Sequence, residues 1–218
     1  MTAVTAGRAE AVVRPDQVAV WRDDGPLART IGRVLGPRLP LPALALILLG
    51  TVPVLTAIVV TGADSSRALA AGVLGWSLLC VGASRGRPHR ARIRWAEPPL
   101  VRLAEYAGLV WIAALEGGSY PAAFALLCAL TFRHYDLVYR LRHRGVTPPA
   151  WVNAVSGGWD GRIVAAFALL AAGALPAGYY IAAAVFGVLF VAEAVAGWVH
   201  AERGQRIMVY EDEEDEGQ

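Results

Sequence analysis

The chain has no lysine, and all twenty of its basic residues are arginine. Cysteine is nearly missing: Cys80 and Cys128 each lie inside an apolar run, and neither has a second cysteine or a histidine at ligand spacing. This excludes a disulfide framework and a zinc motif, and both read as small packing residues. Charge is scarce as well. Charged residues make up 17% of the chain, where a soluble domain carries about 25%. Also missing are a phosphate-binding P-loop, a dinucleotide fingerprint, a paired metal-site motif and a nucleophile elbow. Residues 1–39 lack the short apolar core beside small residues that marks a cleavable signal.

What is present is oil. Hydrophobic residues make up 56% of the chain, and the mean hydropathy is +0.45. Lipid in place of water as solvent accounts for both the apolar excess and the missing charge. The sequence predicts an all-α, polytopic integral membrane protein, with six transmembrane helices and an N-terminal amphipathic interfacial helix. The expected spans are about 41–62, 68–84, 99–115, 119–140, 162–175 and 178–199. The first, from Leu41 to Gly62, contains no charge and reaches about 33 Å as a helix, enough for the hydrocarbon core. The interval 163–199 is too long for one span, so it is predicted to fold as a hairpin divided at Pro176-Ala177-Gly178. These spans define a membrane domain over residues 17–200. A disordered N-terminus over 1–16 precedes it, and an acidic, disordered tail over 201–218 follows.

Ahead of the first span, Asp23 or Asp24 is positioned to cap a helix with Pro26 in its first turn. Leu27, Ile31, Val34 and Leu35 fall on one face of that helix, while Arg29 and Arg33 fall on another, which is the pattern of a helix lying in the membrane interface. Six spans put both ends on one side, and arginine placement selects the side. The N-terminal segment, the 85–97 loop and the 133–162 interval are rich in arginine, while the opposite side has only Arg67. Both termini are therefore expected in the cytoplasm, with the protein multi-pass in the cell membrane. Basic loops at such a surface meet anionic lipid, and no nucleic-acid partner is expected. Trp21, Trp95, Trp151, Trp159 and Trp198 fall near the expected interfaces, as an aromatic belt does.

The residues able to do chemistry concentrate in the stretch FRHYDLVYRLRHRGVTPPAWVNAVSGGWDGR, Phe132 to Arg162. Arg133, Asp136, Arg140 and His143 share a helix face, with Tyr135, Tyr139 and Arg142 on the neighbouring one. Such a face can present guanidinium forks to phosphate while a carboxylate holds a divalent metal, or it can be a solvated face of weak ion pairs. Glu105, one turn after Arg102, and Glu193 lie within apolar runs at a similar depth. Intramembrane acids must be paired or face a polar cavity, so they mark either a substrate site or packing pairs. Asp160 opens a helix in GGWDGR and is expected to cap it. The candidate set is therefore Asp136, Asp160 and His134 as catalytic groups, Asp136 and Asp160 as ligands of Mg²⁺, and Arg133, Arg140, Arg162, Tyr139, Glu105 and Glu193 as substrate contacts.

Asp24, Gly25, Ala28 and Arg29 match part of the CDP-alcohol phosphatidyltransferase signature, but Trp21 stands where that family has an aspartate, and residues 38–62 contain no acid. That family's transfer chemistry therefore does not carry over. RDDGPLARTIGR, FRHYDLVYRLRHRGVTPPAW and GGWDGR together resemble an actinobacterial membrane domain of unknown function, over roughly residues 17–200. In that group the domain often follows nucleotidyltransferase and CDP-alcohol phosphatidyltransferase domains. The resemblance implies a setting in phospholipid or phosphoglycolipid head-group synthesis, with membrane lipids and a CDP-alcohol phosphatidyltransferase-type enzyme as partners. Three function classes follow as expectations. One is a cytoplasmic-side polar cavity for a phosphorylated lipid or nucleotide-linked substrate. The second is a non-catalytic scaffold for a lipid-synthesis enzyme, and the third is a small transporter.

Overall fold

The computed structural model describes residues 20–87, 93–143 and 149–216, the last stretch in backbone alone beyond residue 199. The described residues are helical, with no strand among them. The chain's α-helices, among the described residues, are α1 (Pro26–Val34), α2 (Ala43–Thr61), α3 (Arg67–Ser84), α4 (Glu97–Leu115), α5 (Tyr120–His143), α6 (Ala150–Val155), α7 (Gly158–Ala171) and α8 (Leu175–Glu216). The stretch expected to be a disordered N-terminus, 1–16, lies outside the described residues, as do the side chains of Arg142 and His143.

Among the described residues, three helical stretches are long and apolar enough to cross a membrane: Ala43–Asp64, Arg67–Ser84 and Leu175–Val199. The other expected spans differ for identifiable reasons. α4 carries Glu97, Arg102 and Glu105 in its first half. α5 is apolar only in its first half, before Arg133, and continues as helix to His143. α7 has 14 residues, about 21 Å of helix.

α2 and α3 form an antiparallel pair, and α4 packs on both. α5 pairs along its length with α8, and α7 sits between α4 and α8. The main core lies among these helices, with Leu74, Trp111, Ile112, Leu130, Ile163 and Phe190 all buried. At one end of the bundle Arg67 donates to Glu116 at 3.1 Å and to the Leu170 carbonyl at 3.4 Å. At the same end the Trp111 indole donates to the Gly62 carbonyl at 3.2 Å. The ends of α2, α4 and α7 and the start of α3 are thus at one level.

Two boundaries fall where the sequence places none. The α7–α8 hairpin turns at residues 172–174, four residues before the expected division at 176–178. Gly173, at φ +66°, supplies the left-handed turn, and Pro176 sits in the first turn of α8, where its missing N–H costs nothing. At the other end α8 continues as helix through Glu216, across the segment expected to be a disordered tail. That segment holds no proline and has five glutamates, a good helix former.

Candidate functional site

At the end of the bundle opposite Arg67, the segment Trp21–Gly25 enters between α3, α4 and α7, and charged residues from all of them meet. Arg22, Asp23 and Asp24 are at most 3% exposed. Three charges in a row are buried because each has a partner. The Arg22 guanidinium donates to Asp24 at 3.1 Å, to Glu97 at 3.3 Å, to the Ser84 hydroxyl at 2.9 Å and to the Val81 carbonyl at 3.2 Å. Asp24 also accepts from Arg85 at 2.8 Å and from the Trp159 indole at 2.9 Å. Asp23 accepts from Arg162 at 2.8 Å, with Arg102 at 3.9 Å and the His134 ring at 3.7 Å. Arg162 in turn reaches Glu105 at 2.6 Å, and Arg102 reaches the same carboxylate at 2.5 Å. Arg102 also donates to the backbone carbonyls of Trp21 and Arg22. Opposite charges therefore alternate through one network, the condition under which buried charges are tolerated.

Asp160 holds the entry point. Its Oδ1 accepts the Gly25 amide at 2.5 Å, and its Oδ2 accepts the Leu27 and Ala28 amides at 2.8 and 3.0 Å. Pro26 has no amide, so the free donors at the start of α1 all end on one carboxylate from a different helix. Asp160 was expected to cap its own helix, and Asp23 or Asp24 to cap α1. The N-cap of α7 is instead Gly157, and that of α1 is Gly25, neither with a side-chain cap. The reason is proximity: the DDG and GGWD segments cross so closely that the longer-range bond wins. The Trp159 amide donates to the Asp23 carbonyl at 3.1 Å. A Cβ on Gly158, whose φ is +68°, would lie 2.2 Å from the Gly25 nitrogen. Trp159, placed by sequence in an aromatic belt, is 2% exposed and belongs to this crossing.

Burial alone would raise the carboxyl of Asp23, but Arg162, His134 and Arg102 outweigh it and hold it well below the ordinary carboxylate range. Asp24 is lowered in the same way, burial being overcome by Arg22, Trp159 and Arg85. For Asp160 burial prevails and pushes the carboxyl up, against the backbone amides of Ala28, Gly25, Leu27 and its own residue.

The expected site residues divide between this network and a second one. Glu105, Arg162, His134 and Asp160 belong to the first, with the Tyr106 hydroxyl 2.5 Å from Nδ1 of His134. Arg133, Asp136, Arg140 and Glu193 lie between α5 and α8. There Arg140 forms a two-pronged pair with Glu193 at 2.8 and 2.5 Å and bonds Asp136. Arg133 bonds Asn153 and sits 4.7 Å above the Phe190 ring, so Asp136 is held by one guanidinium and not between two. Tyr139 stacks between Tyr135 and Trp198, with centroids 6.3 and 5.7 Å away.

Asp136 and Asp160 have no partner in common. The oxygens of Asp160 are filled by backbone amides, which repel a cation, and Asp136 is bonded to an arginine. The donor set does not fit Mg²⁺ held between them, and no group of three His, Cys, Asp or Glu among the described residues is placed to hold a metal ion. Sequence reasoning missed Arg22, Ser84, Glu97 and Trp159 as parts of the network.

Among the described residues, a helical bundle with three apolar helices of membrane length and a charged cluster buried at one end is the class this geometry defines. The chain belongs to DUF5941, a family of unknown function, which matches residues 14–216. No curated protein and no solved structure matches it.

Proposed function

We propose that the chain is a multi-pass module of the cell membrane that crosses six times with both termini cytoplasmic. In this reading it serves phospholipid or phosphoglycolipid head-group metabolism as a non-catalytic scaffold for a CDP-alcohol phosphatidyltransferase-type enzyme. One observation carries the scaffold reading: the acids and arginines that chemistry would use are spent on one another or on backbone amides. Asp160 is the plainest case, since all three bonds to its carboxylate come from α1 and the residue before it.

Six crossings are supported by where the charges fall. They lie early in α4, late in α5, at the start of α7 and late in the apolar part of α8. Alternating antiparallel helices give that order when the charges share one level. The arginine asymmetry supports assigning that level to the cytoplasm, and α1, with Leu27 and Val34 exposed beside Arg29 and Arg33, is suited to the lipid interface. The enzyme partner and the lipid setting rest on the resemblance alone.

A second reading, a cavity for a phosphorylated lipid or nucleotide-linked substrate, is favoured by one observation: Asp23 Oδ1, His134 Nε2, Arg102 Nε and Arg133 Nε are buried without a hydrogen-bond partner. Such atoms call for water or a small polar ligand. The two readings separate in one experiment. The purified chain is titrated with CDP-linked and polyprenyl-phosphate ligands with and without Mg²⁺, then co-reconstituted with a CDP-alcohol phosphatidyltransferase-type enzyme. A scaffold binds the enzyme and changes its rate, with no Mg²⁺-dependent ligand binding of its own. Ligand binding by the chain alone that is lost in His134→Gln would replace the scaffold by the substrate cavity. Topology is checked by labelling single cysteines in Cys80→Ala/Cys128→Ala protein. Ser119→Cys should react from outside the cell and Arg38→Cys only after permeabilisation.

A further inference from the structure

A groove of about 560 Å³ runs between α5 and α8, lined by Phe132, Val191, Ala194 and Val195 towards one end and by Tyr135, Tyr139 and Trp198 towards the other. The size is that of a small-molecule site. Asp136 is the only charged residue among those lining it. Arg140 does not line the groove; it is 4% exposed and held by Glu193 and Asp136. Tyr135 is 70% exposed, and the three aromatic rings form a continuous stacked wall beside the carboxylate.

An aromatic wall with one carboxylate is complementary to an ammonium group. The ring faces attract a cation, and Asp136, although bonded to Arg140, shares that guanidinium with Glu193, so two carboxylates face one arginine and the acid still offers a charged acceptor. The adjoining aliphatic floor is complementary to a hydrocarbon chain. We propose that this groove is a binding site for one amphiphile: a membrane phospholipid with a primary-amine head group, its ammonium at Asp136 and Tyr135 and its acyl chain along Phe132, Val191 and Val195. The acid disfavours anionic phospholipids here, while the exposed arginines of α1 are suited to them, so the two surfaces sort lipids by charge. The proposal rests on the six-crossing reading only for the groove's level in the bilayer. Cysteine labelling tests that reading separately, so failure of one is distinguishable from failure of the other.

The test uses the full chain in detergent, titrated with short-chain phosphatidylethanolamine, phosphatidylglycerol and free phosphoethanolamine, with the thermal midpoint as readout. Phosphatidylethanolamine should bind more tightly than phosphatidylglycerol, and phosphoethanolamine without acyl chains should not bind. Asp136→Asn should weaken phosphatidylethanolamine binding about tenfold, as the loss of one charge-assisted bond does. Tyr135→Ala should weaken it about threefold, the size of one exposed cation–π contact. Tyr135 is exposed, so that variant folds even if Asp136→Asn does not. Equal binding of the two lipids, or binding unchanged in Tyr135→Ala, overturns the proposal. So does concentration-dependent cross-linking through Tyr135→Cys, which would mean that a second copy fills the groove.

Discussion

Gly158 and Asp160 are two residues apart and do different jobs at the same crossing. Gly158→Ala puts a Cβ 2.2 Å from the Gly25 nitrogen in a backbone conformation that L-residues avoid. The backbones must separate, and the expected cost is about 3 kcal/mol or more. Asp160→Ala leaves three amides at the start of α1 without an acceptor, also about 3 kcal/mol at least. Either change should lower Tm in detergent by roughly 6 °C or more for a chain of this size. An unchanged midpoint for both would mean the crossing carries no stability. The carboxyls of Asp23 and Asp24 are held below their unfolded values. The stability they contribute is therefore fully present above the unfolded value of about 4 and is lost as pH falls towards the folded values. The midpoint should be insensitive to these two groups between neutral pH and pH 5 and should fall in stronger acid. A midpoint that stays unchanged from pH 5 down into strong acid would contradict the assignment.

Among helices, the contrast lies between the two ends of the bundle. Glu105→Gln leaves Arg162 buried with a single acid, Asp23, and Arg102 with its nearer acid gone. One partner removed from a buried network costs about 3–5 kcal/mol. Arg67→Ala at the other end removes a pair whose arginine is 56% exposed, and should cost under about 1 kcal/mol. Thermal midpoints of the two variants check the ordering, and comparable losses would contradict it. The helices themselves were largely legible. Apolar run length located α2 and α3, and Pro26 marked the start of α1. The α7–α8 division was misplaced because Pro176 reads as a breaker although it equally suits a first helical turn. The tail reads as disordered by its acidic composition, whereas α8 runs as helix through Glu216.

For the molecule as a whole, legibility was uneven in an instructive way. Depth along the runs put Glu105 and Glu193 at a similar level, yet they have different partners: Glu105 meets Arg162 and Glu193 meets Arg140. The partner of each group was not legible, since pairing depends on which helix faces rotate together. The run Arg22-Asp23-Asp24 in a chain so poor in charge, followed by Gly-Pro, was the available signal for a buried network. It reads locally as a capping segment because nothing in the sequence links it to Gly157–Arg162. The central claim is that the N-terminal segment is sealed into the helical bundle by that network. Amide hydrogen exchange on the full chain in nanodiscs tests it most directly. Gly25, Leu27, Ala28 and Trp159 should exchange as slowly as the core of α4. Exchange of those four amides within seconds, while α4 stays protected, would contradict it.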